Sequence, residues 1–250
     1  MRAMTDVLLI VPHPDDEVFG CGALFARMAA HGRRVATLTL TRGRAGRSLD
    51  LCAREDVPAV REAELRGSLA ALGVEDVTVF DYRDFVPDAD RGIAPDPGLQ
   101  AVPEADILPR IVEVVERVAP RVLLTFPPNG SNGHPDHVTA HRLALKAADA
   151  ASGTIERVYY FAGDAPHGGP ARPGFLSPDA VREAYLPPTH VVEAGPFLEA
   201  KLRAMAQHRT QALSVLNFME RFTRRLFVES FHRARPEAPA GEGPRTVSWL

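Results

Sequence analysis

Two short stretches hold most of the side chains able to do chemistry. Residues 13–17 read HPDDE, directly behind the apolar run VLLIV, and residues 133–137 read GHPDH, a few positions behind the run at 122–126. Three carboxylates in a row repel one another, and beside a buried strand they are tolerated only where a positive charge sits among them. Zinc in a hydrolytic site takes three protein nitrogen or oxygen ligands and keeps one position open. His13 and Asp16 from the first stretch, with His137 from the second, make such a set. Asp15 and Asp16 are adjacent, so in a turn their side chains diverge and Asp15 is left to face water as a general base. A catalytic metal brings the pKa of water to roughly 7, where a carboxylate can take the proton. His134 and His137 share one face if a helix starts near Pro135, so one can ligate while the other donates to an oxyanion. Asp136, between them, is placed to hold one imidazole in its tautomer. Alone, each motif has a plainer reading: HPDH as a helix N-cap, DDE as a solvated corner.

The elements behind the motifs decide between these readings. Short β-branched runs at 7–11, 34–40, 77–80, 122–126 and 158–161 alternate with helix-period segments at 19–31, 54–72, about 105–118 and 138–150. This alternation predicts an α/β, Rossmann-like doubly wound, mostly parallel sheet with helices on both faces. In the order 3-2-1-4-5 the first and fourth strands are neighbours at the switch point, where sites form beyond the strand ends. HPDDE and GHPDH then emerge side by side. A core over 1–162 carries both loops. Residues 163–250 read as a small extension packed on it, with a short strand at 190–193, helices near 197–207 and 211–227, and a flexible tail from about 235. The long loops at 81–104 and 163–187 are of a length that shapes pockets.

Composition removes several classes. A chain of 250 residues with 45% hydrophobic content can bury a full core, and a net charge of −3 gives no basic field for nucleic acid. No run approaches the ~20 apolar residues of a membrane span, and the start lacks a signal-peptide pattern. Cys21 and Cys52, without a CxxC, suit a reducing compartment and a cytoplasmic location. FGCGALF lacks the third glycine of a dinucleotide fingerprint, so Gly20 and Gly22 read as close helix packing; no GxSxG elbow is present. His141 reads as a half-exposed helical residue rather than a second metal ligand. His208, in HRTQ, reads as structural, as do His31, His167, His190 and His232. Phe222, Leu226 and Phe227 recur at helical spacing, which suits docking on the core or on a second copy in a homo-oligomer.

PHPDDE early and GHPDH later give the chain its family likeness: it resembles the LmbE-like (PIG-L) family of zinc-dependent N-acetylglucosamine-type deacetylases. TRGRAG, VREAEL leading to ALGV, YRD and KLRAMAQHRTQ extend the likeness over most of the sequence. The resemblance implies a hydrolase using Zn2+, with Fe2+ as the alternative, that removes an N-acyl group, most simply acetyl, from a small-molecule aminosugar. It implies His13, Asp16 and His137 as metal ligands, Asp15 as general base and His134 as oxyanion donor. Arg61 in VREAEL and Asp84 in YRD match positions that bind sugar hydroxyls. Asn132 stands where some members have a tyrosine that polarises the carbonyl, and it too can donate. Arg44 replaces the acid of the family's TxGE. With Arg42 and Arg47 it forms a cluster that reads either as recognition of a carboxylate or phosphate or as a solvated loop. Two alternatives stand beside the deacetylase: an amidase cleaving a larger acyl or thiol conjugate of an aminosugar, and a non-catalytic Rossmann-like binding module. The module has no use for so costly a carboxylate cluster.

Overall fold

The computed structural model describes residues 5–87, 93–151, 153–166, 170–239 and 243–250. The VLLIV run lies in strand β1 (Thr5–Val11), whose side chains from Val7 to Val11 are all buried. A strand buried on both faces belongs at the centre of a parallel sheet. It pairs in parallel with β2 (Val35–Thr41), Val7 opposite Val35, and with β4 (Pro120–Thr125), Val7 opposite Val122. Adding β3 (Asp76–Tyr82) beside β2 and β5 (Arg157–Phe161) beside β4 completes the order β3-β2-β1-β4-β5. The ends of β1 and β4 are thereby adjacent, as the alternation predicts.

Alternate residues of β1 feed two cores, Val7, Leu9 and Val11 on one face and Leu8 and Ile10 on the other. Helices α1 (Asp16–Ala30) and α2 (Val57–Ala71) supply Leu24 and Leu65 to the first core. Helices α3 (Glu104–Val118) and α5 (Pro135–Ala150) supply Ile111 and Leu143 to the second, with α4 (Gly130–Gly133) a single turn ahead of α5. A Cβ on Gly20 would lie 2.4 Å from the Phe161 ring, so α1 crosses the sheet too closely for any other residue there.

The second half departs from expectation. Following α6 (Pro178–Glu183), β6 (His190–Glu193) and α7 (Leu198–Met205), the single helix predicted over 211–227 divides into α8 (Ala212–Arg221) and α9 (Arg224–Phe227). The break falls at Phe222, whose φ of −127° and ψ of 38° are not helical. A strand absent from the sequence reading, β7 (Val228–Arg235), lies antiparallel between β5 and β6, so one sheet continues past residue 162. Where a loose tail was expected, β8 (Arg245–Thr246) pairs with β6 and Leu250 is buried. The predicted structural residue His167 lies outside the described residues. Among the described residues no helix is long and apolar enough to cross a membrane.

Candidate metal centre

Each motif is bent into place by its own backbone. Asp15 sits at φ 121°, a conformation a non-glycine residue rarely takes, at the entry to α1. The turn is tied by His13 N donating to Asp16 Oδ2 (2.9 Å) and Asp15 N donating to Glu17 Oε2 (3.0 Å). After β4 the chain turns through Gly130 at φ 61° and enters α5 at Pro135, with His134 as N-cap; its Nδ1 accepts from Asp136 N at 3.1 Å. Because β1 and β4 are neighbours, His13 Nδ1 and His137 Nε2 end 3.3 Å apart. One oxygen of the Asp16 carboxylate lies 3.6 Å from His13 Nδ1, and the other 3.6 Å from His137 Nε2. Ligand atoms of His13, Asp16 and His137 all fall within 4.8 Å of one another, and so do those of His13, His134 and Asp136.

The donor set fits a cation. His137 Nδ1 faces the Gly130 carbonyl at 3.0 Å and so carries the proton, which leaves a lone pair on Nε2. His13 Nε2 faces Asp136 Oδ2 at 3.1 Å, which leaves the lone pair on Nδ1. With a cation in place of the His13 proton, both imidazoles are neutral and two lone pairs converge with a carboxylate, a donor set that suits a divalent ion. Asp136 is fully buried, and Phe85 N (2.7 Å) and Leu99 N (3.0 Å) also donate to it. The imidazole it orients is thus His13, across the two motifs. Burial drives His137 and His134 well below the usual histidine range. Burial presses His13 the same way, but the hydrogen bond to Asp136 and the charges of Asp16 and Asp136 outweigh it and bring His13 up to about 9. Burial pushes Asp16 up to about 7, against the pull of His13.

Asp15 is held from two sides. Arg61 Nη2 stands 3.2 Å from its Oδ2, donates to Pro14 O as well, and Arg61 Nη1 donates to Gly43 O at 2.8 Å. Only 4% of Arg61 is exposed. Expected on a sugar hydroxyl, it lies instead beneath the HPDDE turn. Burial raises the Asp15 pKa, while the charges of Arg61 and His208 counter it. Below the turn, Glu17 Oε1 accepts from Ser68 Oγ (2.6 Å) and pairs with His208 Nε2 (2.7 Å). Reading His208 as packing alone missed this charge pair, since nothing in HRTQ shows which carboxylate it will face. Asp84, 3% exposed, accepts from Ala45 N at 2.8 Å behind the 43–46 loop. Arg42 pairs with Glu62 (2.9 Å) and Arg44 with Asp96 (2.5 Å), so these two guanidiniums are engaged by the protein's own acids.

A cavity of about 800 Å³ opens against the cluster at Asp16, His137 and Asn132. Asn132 is exposed, and its Oδ1 accepts from His134 N at 3.0 Å. The walls are aromatic. Phe126 stacks on His137 with ring centres 3.9 Å apart and meets Phe161 at 5.1 Å; Phe19 and Phe218 lie 4.9 Å apart. Asp15, Arg61, Asp84, Arg42 and Arg44 do not line it.

A family model described as PIG-L, GlcNAc-PI de-N-acetylase, matches residues 8–148, more than half of the chain and both motifs. The chain belongs to the PIG-L family. A similar curated protein of Geodermatophilus obscurus, a 1D-myo-inositol 2-acetamido-2-deoxy-alpha-D-glucopyranoside deacetylase, is 38% identical over 160 residues, covering 58% of this chain and 53% of that protein. One of the same name from Actinosynnema mirum is 32% identical over 238 residues, covering 84% and 82%. The chain spans about half the length of the first curated relatives it matches. The N,N'-diacetylchitobiose deacetylase of Pyrococcus horikoshii shares the fold at a TM-score of 0.65 and 19% identity, over 92% of this chain and 83% of that one. In this PIG-L chain the matched region holds His13, Asp16 and His137. Much of the cavity wall, including Phe161, Phe175, Phe218 and Phe222, lies beyond it.

Proposed function

We propose that this PIG-L chain is a metal-dependent amide hydrolase that removes an N-acyl group, acetyl in the simplest case, from an aminosugar. The observation carrying this is the convergence of two imidazole lone pairs and the Asp16 carboxylate beside a second, separately held carboxylate, Asp15. His13, Asp16 and His137 would hold a divalent ion, zinc or ferrous iron, which when bound would supply Lewis acidity toward an amide carbonyl and water. Asp15 takes the proton from the attacking water, with Arg61 holding its carboxylate in place. His134 is the oxyanion donor: burial keeps it neutral, and because its Nδ1 accepts from Asp136 N, its Nε2 carries the proton. Asp15 then returns its proton to the leaving amine. Arg61 and Asp84 support the turn and its neighbouring loop, while Asn132, exposed at the cavity, is placed to meet substrate. Cys21 and Cys52 are both free, which suits a cytoplasmic reaction.

A second reading, cleavage of a larger acyl group or conjugate, is favoured by the cavity, which at about 800 Å³ is in the range that encloses a drug-sized ligand. A non-catalytic module finds no support in a preassembled ligand set with a general base beside it. The test is incubation of metal-quantified protein with N-acetyl and longer N-acyl aminosugars, reading freed primary amine. Release from at least one is expected; metal-loaded protein that releases none contradicts the hydrolase reading.

A further inference from the structure

The cavity wall also carries charge that amide hydrolysis does not use. Where α8 gives way to α9, Arg221, Arg224 and Arg225 line the same cavity as Asp16 and His137, and Arg172 lines it from the segment before α6. Arg224 is paired with Asp164. Arg225 has no such partner: among the described residues no carboxylate lies within ion-pair distance of its guanidinium and no acceptor bonds to it. Its backbone is fixed, with N donating to Phe222 O (2.7 Å) and O accepting from the buried Lys201 Nζ (2.8 Å). The guanidinium lies over Phe218, 5.4 Å from the ring centre, and 5.7 Å from that of Phe222. The carboxylates whose fields reach it, Glu229 and Asp164, are both committed. Glu229 takes Lys201 Nζ, Ala23 N and Leu24 N at 2.8 Å each, and Asp164 takes Arg224.

A plainer explanation is that cation–π contact alone holds Arg225. That accounts equally for Arg172, 5.4 Å from the ring centre of Phe175, but not for Arg221, which lines the same cavity with neither an ion pair nor a ring contact among the described residues. Burial also disfavours the Arg225 charge. A partly desolvated cation in an aromatic wall is a standing cost until an anion meets it. One cavity is thus lined by Asp16 and His137 and by three guanidiniums, of Arg172, Arg221 and Arg225, that make no ion pair among the described residues.

We propose that this arginine-bearing wall is a subsite for an anionic group, carboxylate or phosphate, on the part of the substrate distal to the scissile amide, with Arg225 as its principal contact. The inference rests on the hydrolase reading for the His13, Asp16 and His137 cluster, so it is tested by binding, which needs no turnover. Calorimetry would compare glucosamine 1-phosphate, a glucosaminide whose aglycone ends in a carboxylate, and the neutral amide of that glucosaminide, on metal-loaded wild type and on R225Q and R225K. Wild type should bind one or both anions about 10–100-fold more tightly than the neutral compound, as charge-assisted bonds allow. The ratio should fall towards one in R225Q and stay intermediate in R225K, which keeps charge but loses the planar fork. Comparable melting temperatures show that the variants fold. The two anionic arms tell phosphate from carboxylate. Equal binding of all three ligands, no binding of either anion, or a preference that survives in R225Q overturns the proposal. Parallel assays of the N-acetyl forms report separately on hydrolysis, so loss of turnover with retained anion preference counts against the hydrolase reading and not against the subsite.

Discussion

Asp15 combines a backbone at φ 121° with a buried carboxylate braced by Arg61, and strain of this kind persists only where the surroundings enforce it. Removing the carboxylate by Asp15→Ala is expected to lower kcat by about 10²–10⁴-fold while metal content, measured on the same sample, is unchanged. His208 belongs to the same assembly. Burial opposes its charge, but Glu17 outweighs burial and raises its pKa, and His208 in turn lowers that of Glu17. The pair's stabilisation is therefore complete only above the ordinary Glu range and below the ordinary His range; it is lost as pH rises through the raised His208 value or falls through the lowered Glu17 value. Breaking one side of a buried pair costs about 3–5 kcal/mol, so His208→Gln should lower the melting temperature by about 10 °C near pH 6. That gap should narrow as pH rises; thermal melts showing a constant gap would remove the charge pair from the account. The convergence of His13, Asp16 and His137, with Asp15 beside them, could be anticipated from the sequence because HPDDE and GHPDH keep donors within a few positions of one another. Arg61 and His208 were not, because their partners are fixed by packing across elements and leave no trace in local spacing.

At the scale of elements, the loop between β4 and α5 sets the second half of the site. Gly130 takes φ 61°, its carbonyl accepts from His137 Nδ1, and a Cβ on it would lie 2.8 Å from His137 Cβ. Gly130→Ala should displace that ring and weaken metal binding about 10–100-fold, as losses of orienting contacts do, with the fold retained. Competition with a chelator of known affinity measures this, and unchanged affinity would mean the carbonyl does not orient His137. The central strands and flanking helices were readable because short apolar, β-branched runs alternate with segments of 3.6-residue periodicity along the first 162 residues. Strand β7 was not. In VESFHRAR a buried glutamate and serine sit beside Phe231, so no alternation marks it. Its Glu229 is buried for a tertiary reason: α1 kinks at Cys21, and the freed N–H groups of Ala23 and Leu24 donate to that side chain.

For the whole molecule, the two motifs and most of the cavity wall come from different parts of the chain. The strand ends of the parallel sheet bring HPDDE and GHPDH together, while the aromatic and arginine walls come largely from residues 161–225, beyond the family-matched region. Topology could be inferred from the alternation alone, so the meeting of HPDDE and GHPDH was visible early. The cavity was not, since its shape depends on how α8, α9 and β7 return to the sheet. Metal analysis after exhaustive dialysis tests the centre most directly: wild type is expected to retain about one divalent ion per chain, and His137→Ala, which leaves the HPDDE turn intact, less than about a tenth of that. A folded His137→Ala protein that still holds a full equivalent would show that the ends of β1 and β4 do not share a metal.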